Sequence, residues 1–177
     1  NPGFKLHMVS AWATANGISL GQLKVNEKHN EIVAIPLLLE ALDLTGCLVT
    51  IDAMGCQTDI AKKKIECGAD YVLALKENHR NLYNTVKGWF DDLDKKNIDV
   101  NKAYYATRYG KYITEEEAHG RHERRECLVY SCQALTGMLK DWKGLKAVVR
   151  ISSQRTIRTT GETTVNHRFY ITSLGLE

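Results

Sequence analysis

The chain has 177 residues, of which 44% are hydrophobic and 25% charged, as in a folded domain rather than a disordered or fibrous protein. No apolar run approaches the roughly 18 residues that span a bilayer, and the N-terminal segment has no signal-peptide core, so the sequence predicts an intracellular, cytoplasmic protein. The five cysteines form no CxxC pair, which argues against a disulfide framework or structural zinc.

The N-terminal residues predict a β-hairpin followed by a helix. Apolar side chains alternate in residues 5–14, residues 15–17 (ANG) suit a turn, and a second strand follows. In EIVAIPLLLEALDL the apolar residues recur at helical spacing. Because proline fits best in the first helical turn, Pro36 predicts that this helix begins near Ala34.

The following segment has the alternation of a βαβ unit. CLVTI is a continuous apolar run, typical of a strand buried on both faces. CQTDIAKKKIECG predicts an amphipathic helix with Ile60, Ala61 and Ile65 inward, its lysines outward, and Gly68 as its C-terminal stop. The order strand, helix, strand, helix indicates an α/β core with right-handed crossovers.

The second strand and second helix of this unit follow directly. DYVLALK predicts another buried strand. ENHRNLYNTVKGWFDDL predicts a helix with Leu82, Val86 and either Trp89 or Phe90 on one face.

The second half predicts mostly antiparallel strands. Residues from about 96 form a polar, charge-mixed segment, after which apolar and polar residues alternate up to Cys132, and two further strands flank the turn TTGETT. We therefore expect one domain, with a core in residues 1–95 and β-rich returning strands in residues 96–177.

Positive charge is concentrated in the C-terminal third. Seven lysines and arginines stand against two acidic residues between positions 140 and 168, which gives +5 there and −2 for the rest of the chain. Such a distribution is typical of a phosphate-facing surface. Charged side chains that keep sheet edges from aggregating are the competing interpretation.

The run LVTIDAMGCQ places Asp52 at the end of a predicted strand. Ligands of open α/β sheets usually bind at the carboxyl ends of strands, where a carboxylate can hold Mg²⁺. Two such ions can activate a nucleophile and stabilise the leaving oxygen of a phosphodiester. Asp52 is therefore a candidate metal ligand, and the competing interpretation is an N-cap of the next helix.

Three segments carry a resemblance to a known family. These are HMVSAWAT, the long run from GQLKVNEKHNEIVAIP through GCLVTIDAMGCQTDIAKKKIECGADYVLALKENH, and HGRHERREC. Together they resemble transposases of bacterial insertion sequences, in particular the H-repeat-associated group, over nearly the whole chain. The resemblance implies a DDE recombinase with an RNase H-like mixed sheet, flanking helices and a β-rich insertion.

The resemblance also implies a function and its site. Asp52 corresponds to the second catalytic aspartate of a DNA transposase that uses Mg²⁺ or Mn²⁺ to cleave phosphodiesters and transfer strands. DNA, as element ends and target, is the implied partner, and a homodimer in the active assembly is compatible with it. The alternative is a non-catalytic DNA-binding remnant of a decayed insertion element.

Two of the three carboxylates implied by the resemblance have no counterpart here. The family carries its first aspartate in a DGK-type segment on the preceding strand, and its glutamate in an HW.IEN-like segment on a later helix. Residues 1–10 contain no such aspartate motif, and Glu177 does not match the glutamate. We therefore expect a central fragment of a longer protein, inactive by itself.

Further DNA contacts are expected at two places. Lys76, at the end of the strand parallel to that of Asp52, can reach a phosphate, and Asn78 follows it in KENH, where the family commonly has KGNQ. In HGRHERREC the candidate contacts are His119, Arg121, Arg124 and Arg125, since guanidinium groups suit phosphate oxygens. An exposed strand-terminal lysine and a surface strand salt-bridged through Glu123 and Glu126 are the competing interpretations.

Overall fold

The structure is a computed structural model that describes residues 7–25, 31–96, 108–132 and 139–176. The N-terminal hairpin is confirmed, with strands β1 (His7–Ala13) and β2 (Ile18–Val25) pairing antiparallel. Helix α1 (Glu31–Glu40) follows and packs against both strands.

Helix α1 begins three residues earlier than the sequence predicted, so Pro36 lies inside the helix instead of in its first turn. Proline in that position cannot donate the usual backbone hydrogen bond. Four buried side chains of α1, Ala34, Ile35, Leu38 and Leu39, hold the helix in place. Tertiary packing of an apolar face outweighs the local preference here.

The βαβ unit is confirmed. Strand β3 (Leu48–Ile51) and strand β4 (Asp70–Leu75) are parallel and are joined through helix α2 (Thr58–Glu66), which ends before Gly68 at a φ of 73°. Helix α3 (Arg80–Lys95) buries Leu82, Val86 and Phe90, as predicted. Short 3₁₀ turns, Ala53–Gly55 and Glu77–His79, follow the two strands. None of the helices described is both long and apolar enough to cross a membrane.

The expectation that β3 is buried on both faces is wrong. Its residues alternate between exposed and half-buried, and Leu48 is 50% exposed. The reason lies in the sheet order, because among the described strands β3 is at the edge of the sheet and pairs with β4 alone.

The antiparallel second half is also confirmed. Strands β5 (Tyr109–Ala118), β6 (Arg121–Ser131), β7 (Ala147–Ile157) and β8 (Thr163–Thr172) extend the core sheet. Within the ranges that the structure describes, the six strands follow the order β3-β4-β8-β7-β6-β5, and only β3 and β4 are parallel. The chain is thus a mixed α/β sheet with flanking helices. The predicted polar segment after residue 96 lies mostly outside the described residues.

Side-chain hydrogen bonds, two of them buried, join β4 to the end of β8 and to Ser173, which follows it. The Ser173 hydroxyl accepts the backbone N–H of Tyr71 at 2.9 Å and donates to the Asp70 carboxylate at 2.7 Å. The Thr172 hydroxyl donates to the Tyr71 carbonyl at 2.7 Å. These bonds satisfy polar groups in the sheet interior and fix the register of β8 on β4.

Lys64 contradicts the expectation that the lysines of α2 face outward. Its side chain is fully buried, and its Nζ has no hydrogen-bond partner in the part of the chain described. Burial lowers the pKa of Lys64 from 10.5 to about 7, against a smaller opposing effect of Cys56. The helical spacing of KKK could not reveal this, because only the packing of α2 on the sheet decides which lysine is enclosed.

Replacing this lysine should stabilise the protein in a pH-dependent manner. Since the pKa of Lys64 is lower in the folded chain than in the unfolded chain, stability rises with pH between about 7 and 10.5. We expect Lys64→Met to raise the free energy of unfolding by a few kcal/mol near pH 6, since each pKa unit is worth about 1.4 kcal/mol. The gain should shrink towards pH 10.

Urea unfolding at several pH values measures this effect. Lys62→Met is the matched control, because Lys62 lies exposed on the same helix. A gain for Lys64→Met that is the same at every pH would contradict the buried, deprotonating lysine.

Candidate active site at the end of β3

Asp52 follows β3 directly, with an extended backbone and an exposed side chain. Its Oδ1 accepts the backbone N–H of Met54 at 3.1 Å and so caps the 3₁₀ turn Ala53–Gly55. It does not cap α2, whose N-cap residue is Gln57. Oδ2 has no protein partner among the residues described. One carboxylate oxygen therefore orders the turn while the other faces solvent.

The segment after β4 holds the Asp52 turn in place. The Asn78 side-chain amide donates to the Ala53 carbonyl at 2.7 Å, and His79 Nε2 donates to the Cys56 carbonyl at 2.5 Å. The His79 ring also packs edge-on against Trp142, with centroids 5.2 Å apart. Asn78, predicted as a DNA contact, thus has a positioning role in this structure, while Glu77 is exposed.

Gly55 allows the turn to lie close to β3. A Cβ at this position would come within 2.2 Å of Ile51 Cγ2 and 3.1 Å of Ile51 Cβ. Both atoms belong to a β-branched side chain with little rotamer freedom. The absence of a side chain at residue 55 therefore determines where Asp52 is held.

A cleft of about 590 Å³ opens beside Asp52. Polar residues from β3, from the ends of β3 and β4, from α3 and from β8 line it: Thr50, Asp52, Lys76, Tyr83, Asn166, His167, Arg168 and Tyr170. The predicted proximity of Lys76 to Asp52 agrees with this cleft. Sequence patterns do not identify the three β8 residues Asn166, His167 and Arg168 as site residues. The only indication of them in the sequence is that they lie in the basic segment 140–168. Only the pairing of β8 with β4 brings them to Asp52.

The residues predicted from HGRHERREC lie elsewhere, on the hairpin of β5 and β6. His119 and Gly120 form its two-residue turn, both with positive φ, as type I′ hairpins require. The three arginines do not share a face, because Arg121 and Arg125 alternate with Arg124 along the strand. None of them lines the Asp52 cleft.

Carboxylates engage all three of these arginines. Arg125 lies 2.8 Å from Glu123, and Arg124 lies 3.4 Å from Glu115 and 3.0 Å from Glu126. Arg121 lies at the longer distance of 4.0 Å from Glu123. The salt-bridged strand, the competing interpretation in the sequence, therefore forms.

The charge of Glu126 fits this network. Burial alone raises the pKa of Glu126, but hydrogen bonds from Arg124 and Lys111 outweigh it and hold the pKa below its ordinary value. Glu126 is thus ionised at neutral pH and compensates the positive charge around it.

The cleft offers an oxygen atom that can serve as one ligand of a hard metal ion. Asp52 offers an exposed carboxylate oxygen, which is the ligand type that Mg²⁺ and Mn²⁺ prefer. Within the described ranges, no group of three or more His, Cys, Asp or Glu side chains is placed to share a metal ion.

Comparison with known proteins identifies the class. Residues 2–166 match the Transposase DDE domain. The chain therefore belongs to this transposase family, whose domain has an RNase H-like fold and generally uses divalent metal ions. The identification made from the sequence motifs is confirmed.

Individual relatives agree with this assignment. The chain is 38% identical over 174 residues to "Putative transposase YncI" of Escherichia coli O157:H7, covering 97% of the chain and 42% of that protein. It is 36% identical over 174 residues to "H repeat-associated putative transposase YhhI" of Escherichia coli K12, covering 97% and 44%. The chain thus spans less than half the length of these relatives. No solved structure gives a significant match.

Substitution of Gly55 tests the support of the Asp52 turn. We expect Gly55→Ala to lower the free energy of unfolding by about 1–3 kcal/mol, because the added methyl group cannot fit against Ile51 without moving the turn. Gly88→Ala is the matched control, since an added Cβ there meets nothing within 4 Å. It should raise stability by about 0.5–1 kcal/mol, as alanine favours the helix. Equal denaturation midpoints for the two variants would contradict the close contact.

Proposed function

We propose that this chain is the central catalytic region of an insertion-sequence transposase, which in the intact protein cleaves and joins DNA phosphodiesters. The observation that carries the proposal is Asp52, a carboxylate held by its own turn at the carboxyl end of β3 and open to a cleft beside Lys76. Family membership supports the reaction class.

Asp52 would provide one ligand to Mg²⁺ or Mn²⁺. When bound, such an ion supplies Lewis-acid stabilisation of phosphodiester oxygens. The chain itself contributes the orientation of this carboxylate, through the Met54 N–H, the Asn78 amide and the close packing of Gly55. Lys76 adds positive charge at the neighbouring strand end, where it suits a phosphate.

We further propose that the intact protein places an additional strand, carrying the first aspartate, along β3. The edge of β3 away from β4 has no strand partner in the described residues, and β1 and β2 form a separate sheet. Helix α1 packs against the hairpin and also against α2. Its Ile35 and Leu39 belong to a hydrophobic cluster against which Val49 and Ile51 of β3 pack. A strand between the hairpin and β3 would join the two sheets and cover Leu48, and the glutamate would come from a segment beyond this chain.

DNA is the proposed partner, in the cytoplasm, and a homodimer is compatible with the active assembly. Contacts by Lys76, Asn78 and the hairpin residues His119, Arg121, Arg124 and Arg125 stay predictions. The hairpin arginines already form ion pairs with glutamates. A phosphate would have to share the arginine with the glutamate or displace the glutamate. By itself the 177-residue chain, with Asp52 as its one matching carboxylate, should not cleave DNA.

The test is metal-dependent nicking of supercoiled plasmid by the protein expressed from the entire reading frame that encodes this chain. Asp52→Asn keeps an oxygen that accepts the Met54 N–H, so the fold should be unchanged. We expect nicking to fall at least about a hundredfold, as for removal of a group that stabilises the transition state. The isolated chain should show no Asp52-dependent nicking.

The alternative is the non-catalytic DNA-binding remnant. It predicts DNA affinity that falls steeply with salt and is indifferent to Mg²⁺ and to Asp52, with no nicking by the product of the entire reading frame. That outcome, with the protein folded, would overturn the catalytic proposal. Cleavage without joined strands would instead indicate a nuclease.

A further inference from the structure

Strand β8 brings an unassigned group of polar side chains to the Asp52 cleft. Asn166, His167 and Arg168 are exposed and line the cleft together with Asp52 and Lys76. Because Leu75 of β4 pairs with Phe169 of β8, Lys76 lies across from Arg168 in the register. Two cationic side chains thus adjoin at the strand ends next to the aspartate.

Arg168 differs from the other arginines of β6–β8 in its charge environment. Each of the others has a carboxylate within 4.0 Å; they are Arg121, Arg124, Arg125, Arg150, Arg155 and Arg158. Among the described residues Arg168 has no such partner, and neither does Lys76. Of the described arginines on these strands, the one without an ion pair therefore lies at the cleft, next to Lys76.

His167 also lines the cleft, but from the other face of β8, since neighbouring residues of a strand alternate between faces. Its Nδ1 lies 2.9 Å from the Ser152 hydroxyl on β7.

We propose that Arg168, together with Lys76, binds the DNA backbone at the cleft and positions a phosphodiester beside Asp52. This inference rests on the proposed function and names a DNA contact on β8. A guanidinium fork matches two phosphate oxygens, and this one need not break an existing ion pair to bind them. The arginines of the β5–β6 hairpin, in contrast, would have to weaken or break their ion pairs with glutamate in order to bind phosphate. Arg168 is therefore a positioning residue for the substrate.

The experiment is binding of the full 177-residue chain to a fluorescent duplex DNA of random sequence, measured by anisotropy at several salt concentrations without metal. Arg168→Ala should weaken binding about fivefold to tenfold and reduce the slope of log K against log salt by about one, as for loss of one phosphate contact. Arg168→Lys should restore part of the affinity. Thermal melting confirms that each variant is folded.

Arg155→Ala is the matched control, because Arg155 lies on the neighbouring strand, is half exposed and is paired with Glu123. It removes the same formal charge and should change affinity less than about twofold. Equal losses for both variants would mean a general effect of net charge and would overturn the inference.

Two further results separate this inference from the proposed function. DNA binding that Arg168→Ala leaves unchanged would overturn the inference and leave the proposed function standing. No DNA binding at the lowest salt would overturn the inference together with the DNA partner on which it rests. A loss of affinity specific to Arg168→Ala, partly restored by lysine, supports it.

Discussion

The junction of β4 with β8 determines the rest of the molecule. It joins the parallel βαβ unit to the antiparallel sheet through residues 102 positions apart, with Ser173 bonded to Tyr71 and Asp70. Without this register the second half has no fixed place on the core, and β8 does not reach the cleft. The candidate site depends on it, since Asp52 comes from one side of the junction and Arg168 from the other.

Support of the Asp52 turn comes from ordinary packing and hydrogen bonding. Gly55 lets the turn approach Ile51, Asn78 satisfies the Ala53 carbonyl, and Asp52 satisfies the Met54 N–H. Each of these contacts restricts where the carboxylate can lie before any ligand binds. Under the proposed function, this restriction lowers the cost of orienting the carboxylate for the reaction.

Sequence patterns correctly predicted the features that depend on interactions between residues close in sequence. The hairpin, the βαβ unit, the end of α2 at Gly68 and the position of Asp52 after β3 all follow from periodicity and turn residues near in sequence. The sequence could not reveal the burial of Lys64, the continuation of α1 through Pro36 or the exposed edge of β3. Each of these depends on which elements pack together over long sequence distances.

Part of the positive charge in the C-terminal third is compensated in the folded chain. A basic segment at 140–168 looks uncompensated when charges are counted along the chain, yet Arg150 pairs with Asp94 and Arg155 with Glu123 across the fold. The register of the sheet decides which side chains face each other across strands, and the composition of a single strand does not reveal that register. The ion pairs of the folded structure, and not the number of charges along the chain, identify Arg168 as the described arginine of these strands that has no carboxylate partner.

Strands β4 and β8 are far apart along the chain, and this distance affects how the protein folds during its synthesis. Closing a loop of 102 residues costs roughly 4 kcal/mol of chain entropy beyond a constant term, so this pairing forms late in folding. On the ribosome, β8 follows β4 by about 5–20 s at typical elongation rates. Throughout that interval β4 has an unpaired edge that other nascent chains can join. The time that β8 takes to emerge therefore sets how long this edge of β4 stays exposed during synthesis.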